Sequence, residues 1–234
     1  MESPPPSRSA LLRELALVLT FGVLPMVLIG ATLFTPSADE PPPPFSLAID
    51  PGLRSGLMLT TYVLFFLVPA IAIRRSGQPL SHFGIRWRGP EEWTWGLGGF
   101  IANYLTGWVI WLLYWSTNFP LGTESIRAFH YFHVSSFGEM IATWPYYLLV
   151  VFAEEQMARC YLITRFRDLT GSNTFAVLGA AALFCGWHMF WGAAGMLHVF
   201  KAGVIFGLMF VRTGSVASAA IAHFVYDALA LLPK

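Results

Sequence analysis

The sequence predicts an all-α fold, a polytopic transmembrane helical bundle of about seven spans. Hydrophobic residues make up 56% of the 234 residues and charged residues only 12%, whereas a soluble domain carries about 25% charged residues. The apolar runs reach about twenty residues, which is enough to cross a hydrocarbon layer of about 30 Å. Lipid offers no hydrogen-bond partner to the backbone, so every backbone group must be paired within the protein, in a helix or a closed barrel. The runs are continuous rather than alternating between apolar and polar residues, which favours helices over a barrel.

The first apolar run, Ala16 to Phe34, is longer than the core of a signal peptide, which spans about 7–15 residues. We therefore expect a retained helix, which Pro25 can kink, after a disordered tail at 1–13. Residues 14–234 are predicted to form one transmembrane domain, with the chemical motifs at 139–232. The predicted spans are 14–34, 54–73, 93–115, 139–168, 174–191, 194–211 and 214–232.

Polar or helix-breaking segments separate these runs. A proline-rich loop ends at 41–45, a polar connector occupies 83–93 and a loop occupies 116–136. Turns are predicted at Gly171 and Gly214. Gly203 and Gly207 form a G-x-x-x-G pair on the sixth span, a pattern that favours close packing of helices.

Basic residues indicate the orientation, because they accumulate on the cytoplasmic side. With the N-terminus inside, the cytoplasmic side receives Arg8, Arg13, Arg74, Arg75, Arg86, Arg88, Arg165, Arg167 and Arg212, and the opposite side receives only Arg54, Arg127, Lys201 and Lys234. We therefore predict an integral protein of the plasma (inner) membrane with a cytoplasmic N-terminus. The net charge of +1 gives no sign of a nucleic-acid partner.

Ionisable residues inside spans are costly and usually functional. Glu154 lies on the fourth span, His188 on the fifth, and His223 and Asp227 on the seventh. With a rise of 1.5 Å per residue, Glu154, His188 and His223 fall within about 10 Å of the midplane of a 30 Å layer. A shared catalytic site explains this matched depth better than three separate structural roles do.

Helical spacing distinguishes the two adjacent glutamates. Glu155 and Arg159 are four residues apart and are expected to form an ion pair that supports the helix. Glu154 is rotated by about 100° from Glu155 and is free to act as a general base. Taken singly, His188 could be an interfacial histidine, and His223 with Asp227 could be a polar contact between helices.

Three motifs in this order resemble the CAAX protease and bacteriocin-processing family, also called the Abi family. Residues 154–159 match E-E-x-x-x-R, residues 184–188 match F-x-x-x-H, and residues 223–227 match H-x-x-x-[N/D]. The resemblance covers about 140–234. It implies an all-helical membrane endopeptidase, whose eukaryotic relatives remove the last three residues of prenylated CAAX proteins.

The resemblance also implies roles for single residues. Glu154 would activate a water molecule with help from His188, and His223 with residue 227 would form the oxyanion hole. Asparagine is usual at the last position in the prenyl-protease branch, whereas this chain has Asp227. Because an ionised aspartate only accepts hydrogen bonds, Asp227 is either protonated or orients His223 by accepting from its ring. We favour the second alternative.

Other functions stay open at this stage. Glu154, His188, His223 and Asp227 could bind Zn²⁺, but the sequence has no H-E-x-x-H helix, and no cofactor is expected. A non-catalytic scaffold or bacteriocin self-immunity protein could use the same pocket, and a proton-coupled transporter is a third possibility. The expected partners are a peptide or lipidated protein substrate and membrane lipid.

Overall fold

The computed structural model describes residues 6–33, 51–117, 136–189 and 192–230, and within these ranges the chain forms helices and no strand. In chain order the helices are α1 (Arg8–Val18, π-helical Leu19–Val23 and Leu24–Leu33), α2 (Pro51–Arg75), α3 (Glu91–Thr117), α4 (Phe137–Glu155, π-helical Gln156–Ile163 and Thr164–Thr170), α5 (Asn173–Gly186), α6 (Gly192–Thr213) and α7 (Val216–Ala230), with a 3₁₀ turn at Leu80–Phe83. The all-α prediction is confirmed. The proline-rich loop, most of the loop at 116–136 and Lys234 lie outside the described residues.

The seven helices of the described ranges correspond one to one with the predicted spans. Within the described residues, three stretches are long and apolar enough to cross a membrane, namely Arg8–Leu28, Glu91–Leu113 and Gly195–Thr213, while Asn173–Gly186 and Val216–Leu229 are shorter apolar helices. The chain is therefore a membrane-type helical bundle. The number of helices that cross the bilayer remains a prediction.

The N-terminal helix begins earlier than expected. Residues 8–13, which were predicted to belong to the tail, are helical, because α1 starts at Arg8. The Ser7 hydroxyl accepts a hydrogen bond from the backbone N–H of Ala10 at 3.3 Å, the arrangement of an N-terminal cap. A π-helical segment, Leu19–Val23, lies just before Pro25, whose ring provides no N–H for the helix ladder.

Tight turns join α4 to α5 and α6 to α7. Gly171 has a φ of +69° after α4, and the Ser172 hydroxyl then caps α5 by accepting from the N–H of Phe175 at 3.2 Å. Gly214 has a φ of +61° between α6 and α7. Glycine adopts these left-handed conformations without the steric cost that a Cβ imposes. These turns reverse the chain, so α4 and α5 are antiparallel neighbours, and so are α6 and α7.

Two of the basic residues assigned to one side of the membrane, Arg86 and Arg165, hold helix ends and connectors together. The Arg86 side chain donates to the Gly214 carbonyl at 2.8 Å, and Ser215 Oγ donates to the Arg86 carbonyl at 2.8 Å. On the neighbouring helices, Arg165 Nε lies 2.7 Å from Glu14 Oε1. These contacts place the connector before α3 beside the turn between α6 and α7, and the start of α1 beside the end of α4, as an alternating course requires. The membrane side on which these contacts lie remains a prediction.

The small residues of α6 allow it to approach α5 closely, as the G-x-x-x-G pattern predicts. A Cβ built on Gly203 would lie 3.0 Å from Ala181 Cβ, and one built on Gly207 would lie 3.0 Å from a Val177 methyl group. The main core surrounds the buried π-helical segment of α4, Gln156–Ile163. This packing places the end of α5 and the middle of α7 beside Glu154 and Glu155.

Candidate active site

The site is built around a change of helical geometry in α4. Glu154 and Glu155 are the last residues of its first α-helical part, and the next eight residues are π-helical and all buried. Short π-helical insertions are rare and occur frequently at functional sites. Glu154 is 4% exposed and Glu155 is fully buried. Two carboxylates therefore lie in the protein interior at the start of this segment.

Glu155 connects two helices through two partners. Its Oε2 lies 3.0 Å from Arg159 Nε, and both side chains are inaccessible to solvent. Its Oε1 lies 2.9 Å from His223 Nδ1 on α7. The predicted ion pair with Arg159 is present. The contact with His223 is a second one, which the spacing of residues along α4 does not reveal.

Arg159 occupies an unusual position for a guanidinium group. Its contact with Glu155 is within ion-pair distance, but it is not aligned as a hydrogen bond, and its Nη atoms have no hydrogen-bond partner among the described residues. The guanidinium carbon instead lies 4.7 Å from the centroid of the Phe184 ring and 5.7 Å from that of Phe206. Ring faces attract cations, so Arg159 depends on Glu155 and these two rings for its stabilisation.

His188 lies just beyond α5 rather than within it. The predicted span continued to residue 191, but the helix ends at Gly186, a residue with low helix propensity, and a turn follows. The His188 Nδ1 lies 2.8 Å from the Phe184 carbonyl oxygen. Because a carbonyl only accepts, Nδ1 carries the proton in this contact. The other ring nitrogen, Nε2, lies 3.8 Å from Glu154 Oε1.

His223 is surrounded by carboxylates. In addition to the 2.9 Å contact of Nδ1 with Glu155, its Nε2 lies 3.6 Å from Asp227 Oδ2 and 3.8 Å from Glu154 Oε2. The His223 ring also lies against Phe206, with centroids 5.6 Å apart. The closest partner of His223 is therefore Glu155, whereas the sequence favoured Asp227 as the residue that orients this ring.

All four residues that the sequence assigned to catalysis meet at one place. Glu154 lies between the two imidazoles, and both of its contacts at 3.8 Å are longer than a hydrogen bond. Asp227 lies at the edge of the group, with a side chain that is 24% exposed. Within the described parts of the chain, no group of three or more His, Cys, Asp or Glu side chains is arranged to hold a metal ion.

A family comparison matches the part of the chain that carries these residues. Residues 136–229 match the family described as type II CAAX prenyl endopeptidase Rce1-like. The match spans all three motifs and confirms the resemblance drawn from them. Comparisons with curated proteins and with solved structures found no match.

Proposed function

We propose that this chain, whose residues 136–229 match the type II CAAX prenyl endopeptidase Rce1-like family, is an intramembrane endopeptidase. It hydrolyses a peptide bond near the C-terminus or the membrane boundary of a membrane-associated substrate. The observation that supports this most strongly is the position of Glu154, a buried carboxylate with an imidazole nitrogen 3.8 Å away on each side.

In this mechanism Glu154 is the general base. A separation of 3.8 Å is too long for a direct hydrogen bond but allows one water molecule to contact both Glu154 and His188. The Nδ1–H of His188 is directed at the Phe184 carbonyl, so Nε2 can accept a hydrogen bond from that water. Glu154 takes a proton from the water while the water oxygen attacks the carbonyl carbon of the scissile bond. Glu154 then gives this proton to the departing amine.

The oxyanion that forms on the substrate carbonyl needs a hydrogen-bond donor. His223 supplies it when its ring carries both protons, because Nδ1–H is directed at Glu155 and leaves Nε2–H facing the side of Glu154 and Asp227. Glu155 is then a positioning residue, since it acts through His223 and does not touch the substrate. The mechanism uses no metal ion.

The test is hydrolysis of a peptide pool with apolar C-terminal residues by the purified chain in lipid nanodiscs. We expect products with wild type and none with Glu154→Gln, which preserves size and removes the base. Glu139→Gln is the matched control, because this glutamate is exposed at the start of the same helix. Equal product from wild type and Glu154→Gln would contradict the mechanism.

The alternative of a non-catalytic scaffold predicts a different result in the same experiment. A scaffold would retain peptides, which photo-crosslinking detects, and would release no cleaved product from any variant. Cleavage by wild type together with binding but no cleavage by Glu154→Gln would exclude it.

A further inference from the structure

A second group of polar side chains lies among α3, α6 and α7. It borders a cavity of about 240 Å³, which is lined by Tyr104, Gly107, Trp108, Trp111, His198 and Tyr226. The three aromatic residues of α3 in this lining are 44–48% exposed, so the cavity opens sideways on the surface of an apolar helix. None of the predicted catalytic residues lines it.

A hydrogen-bonded chain ends at this cavity. Lys201 Nζ donates to the Asn103 carbonyl at 2.6 Å and lies 3.4 Å from His198 Nδ1. Because an ammonium group only donates, His198 accepts at Nδ1, and the proton of its neutral ring is on Nε2. That Nε2–H is directed at the Tyr226 oxygen at 2.7 Å. The Tyr226 hydroxyl hydrogen therefore remains available to a ligand.

The charge of Lys201 has no counterion among the described residues, because its two polar contacts are with a neutral carbonyl and an imidazole. Gly107 has no side chain to fill the space beside the Lys201 ammonium group. A Cβ at Gly107 would lie 3.3 Å from Lys201 Nζ and 3.2 Å from His198 Cε1. Nearby, Asn103 is fully buried, and neither atom of its side-chain amide has a hydrogen-bond partner in the described structure.

We infer that this cavity binds the carboxylate end of an apolar chain that enters from the lipid. One ammonium group matches one negative charge, and the two carboxylate oxygens can accept from the Lys201 N–H and the Tyr226 O–H. The cavity is smaller than the range of about 300–1,000 Å³ that encloses drug-sized ligands. It therefore holds the end of a longer molecule, whose apolar part lies against the aromatic residues of α3.

The carboxylate can come from a fatty acid or, resting on the function proposed above, from the C-terminus of the peptide substrate. Tyr226 lies three residues after His223 on α7. Lys201 lies five residues before Phe206 on α6, and Phe206 packs on His223. Because α6 and α7 are antiparallel, Tyr226 and Lys201 are displaced from His223 toward the same end of the bundle, by about 5 Å and about 8 Å. Because three extended residues span about 10 Å, a substrate cleaved a few residues from its end could reach Lys201.

The first experiment measures binding without activity. The full chain in nanodiscs is titrated with dibromostearate at neutral pH, where the Lys201 ammonium group keeps its charge, and quenching of tryptophan fluorescence is compared with that by dibromostearate methyl ester. We expect the acid to quench at about tenfold lower concentration than the ester, since a charge-assisted contact is lost in the ester. Glu154→Gln should behave as wild type does. Equal quenching by acid and ester in wild type would overturn the inference.

Two pairs of variants test whether the fatty acid binds in this cavity. Lys201→Met should remove the preference for the acid, while Lys201→Arg, which keeps the charge, should retain most of it. Gly107→Leu should fill the cavity and abolish the preference. Gly98→Leu on the same helix should leave the preference for the acid unchanged, because a Cβ at Gly98 has no atom within 4 Å and lies outside the cavity lining. If Gly107→Leu does not fold, the two Lys201 variants decide the question, and an unchanged preference in Lys201→Met refutes the inference.

The second experiment identifies the source of the carboxylate. A peptide that the chain cleaves is compared with the same peptide bearing a C-terminal amide. If the substrate provides the carboxylate, amidation raises KM by about tenfold in wild type and leaves KM unchanged in Lys201→Met. If amidation leaves KM unchanged in wild type while fatty-acid binding persists, the peptide C-terminus is excluded and the ligand is a lipid carboxylate. If no peptide is cleaved, the proposed function fails, and the binding experiment still tests the cavity.

Discussion

The double contact of Glu155 leads to a specific prediction about stability. In Glu155→Ala, Arg159 keeps its charge at a position that is inaccessible to solvent and loses its carboxylate partner, so only the rings of Phe184 and Phe206 remain beside it. Removing one partner of a buried ion pair costs about 3–5 kcal/mol. This is a large part of a total folding stability of about 5–15 kcal/mol, so we expect a lower yield of folded protein and a lower midpoint of unfolding.

The measurement is unfolding in mixed micelles, followed by far-ultraviolet circular dichroism as the fraction of denaturing detergent increases. Glu154→Ala is the matched control, because the nearest basic nitrogens to Glu154 are 3.8 Å away on both sides and no ion pair as short as that of Glu155 is lost. The double variant Glu155→Ala/Arg159→Met removes both charges, and it should be more stable than Glu155→Ala alone.

Two results would refute this account of Glu155. One is a free energy of unfolding for Glu155→Ala within about 1 kcal/mol of wild type, which is the usual size of an exposed ion pair. The other is further destabilisation when Arg159→Met is added to Glu155→Ala, since that would mean that Arg159 still has a stabilising partner after Glu155 is removed.

Three further predictions concern the metal, Asp227 and the packing of α5 on α6. Peptide hydrolysis should persist in a strong chelator, and a loss that Zn²⁺ reverses would replace the water-activating glutamate with a metal site. Asp227→Asn should keep turnover within about tenfold of wild type. Glu155 already holds His223 at 2.9 Å, and loss of the 3.6 Å contact between Asp227 and His223 costs little, because that contact is longer than a hydrogen bond. A thousandfold loss of turnover would make Asp227 the orienting residue. Gly203→Val should lower stability by about 1–3 kcal/mol through overpacking against Ala181, which lies 3.0 Å from a Cβ at that position. Gly98→Ala, with open space around it, should be neutral or slightly stabilising in the same unfolding assay.

The sequence predicted the features that depend on the pattern along one helix. The order of the seven helices, the turns at Gly171 and Gly214 and the pair of Glu155 with Arg159 all follow from local spacing and composition. The meeting of Glu154 with His188 and His223 could also be predicted, because matched depth in a layer of fixed thickness restricts where three ionisable residues can lie.

The features that the sequence did not predict depend on the rotation of one helix against another. The contact of Glu155 with His223 requires α4 and α7 to face each other in one register, and no pattern along either helix specifies that register. The turn that carries His188 follows the end of α5 at Gly186, and an apolar run continues past it without an obvious break. The signal for the second cavity was Lys201, an ionisable residue within an apolar span, whose charge counted only toward the predicted orientation.

We propose that Glu154 makes this chain a peptidase that acts in the membrane. The most direct measurement is mass spectrometry of cleavage sites in membranes that contain wild type, Glu154→Gln or no copy of the chain, at equal amounts of folded wild type and variant. We predict that a set of new C-termini, near the ends or membrane boundaries of membrane-associated proteins, occurs with wild type only. The same new C-termini in membranes with Glu154→Gln, or none that depends on wild type, would contradict the claim.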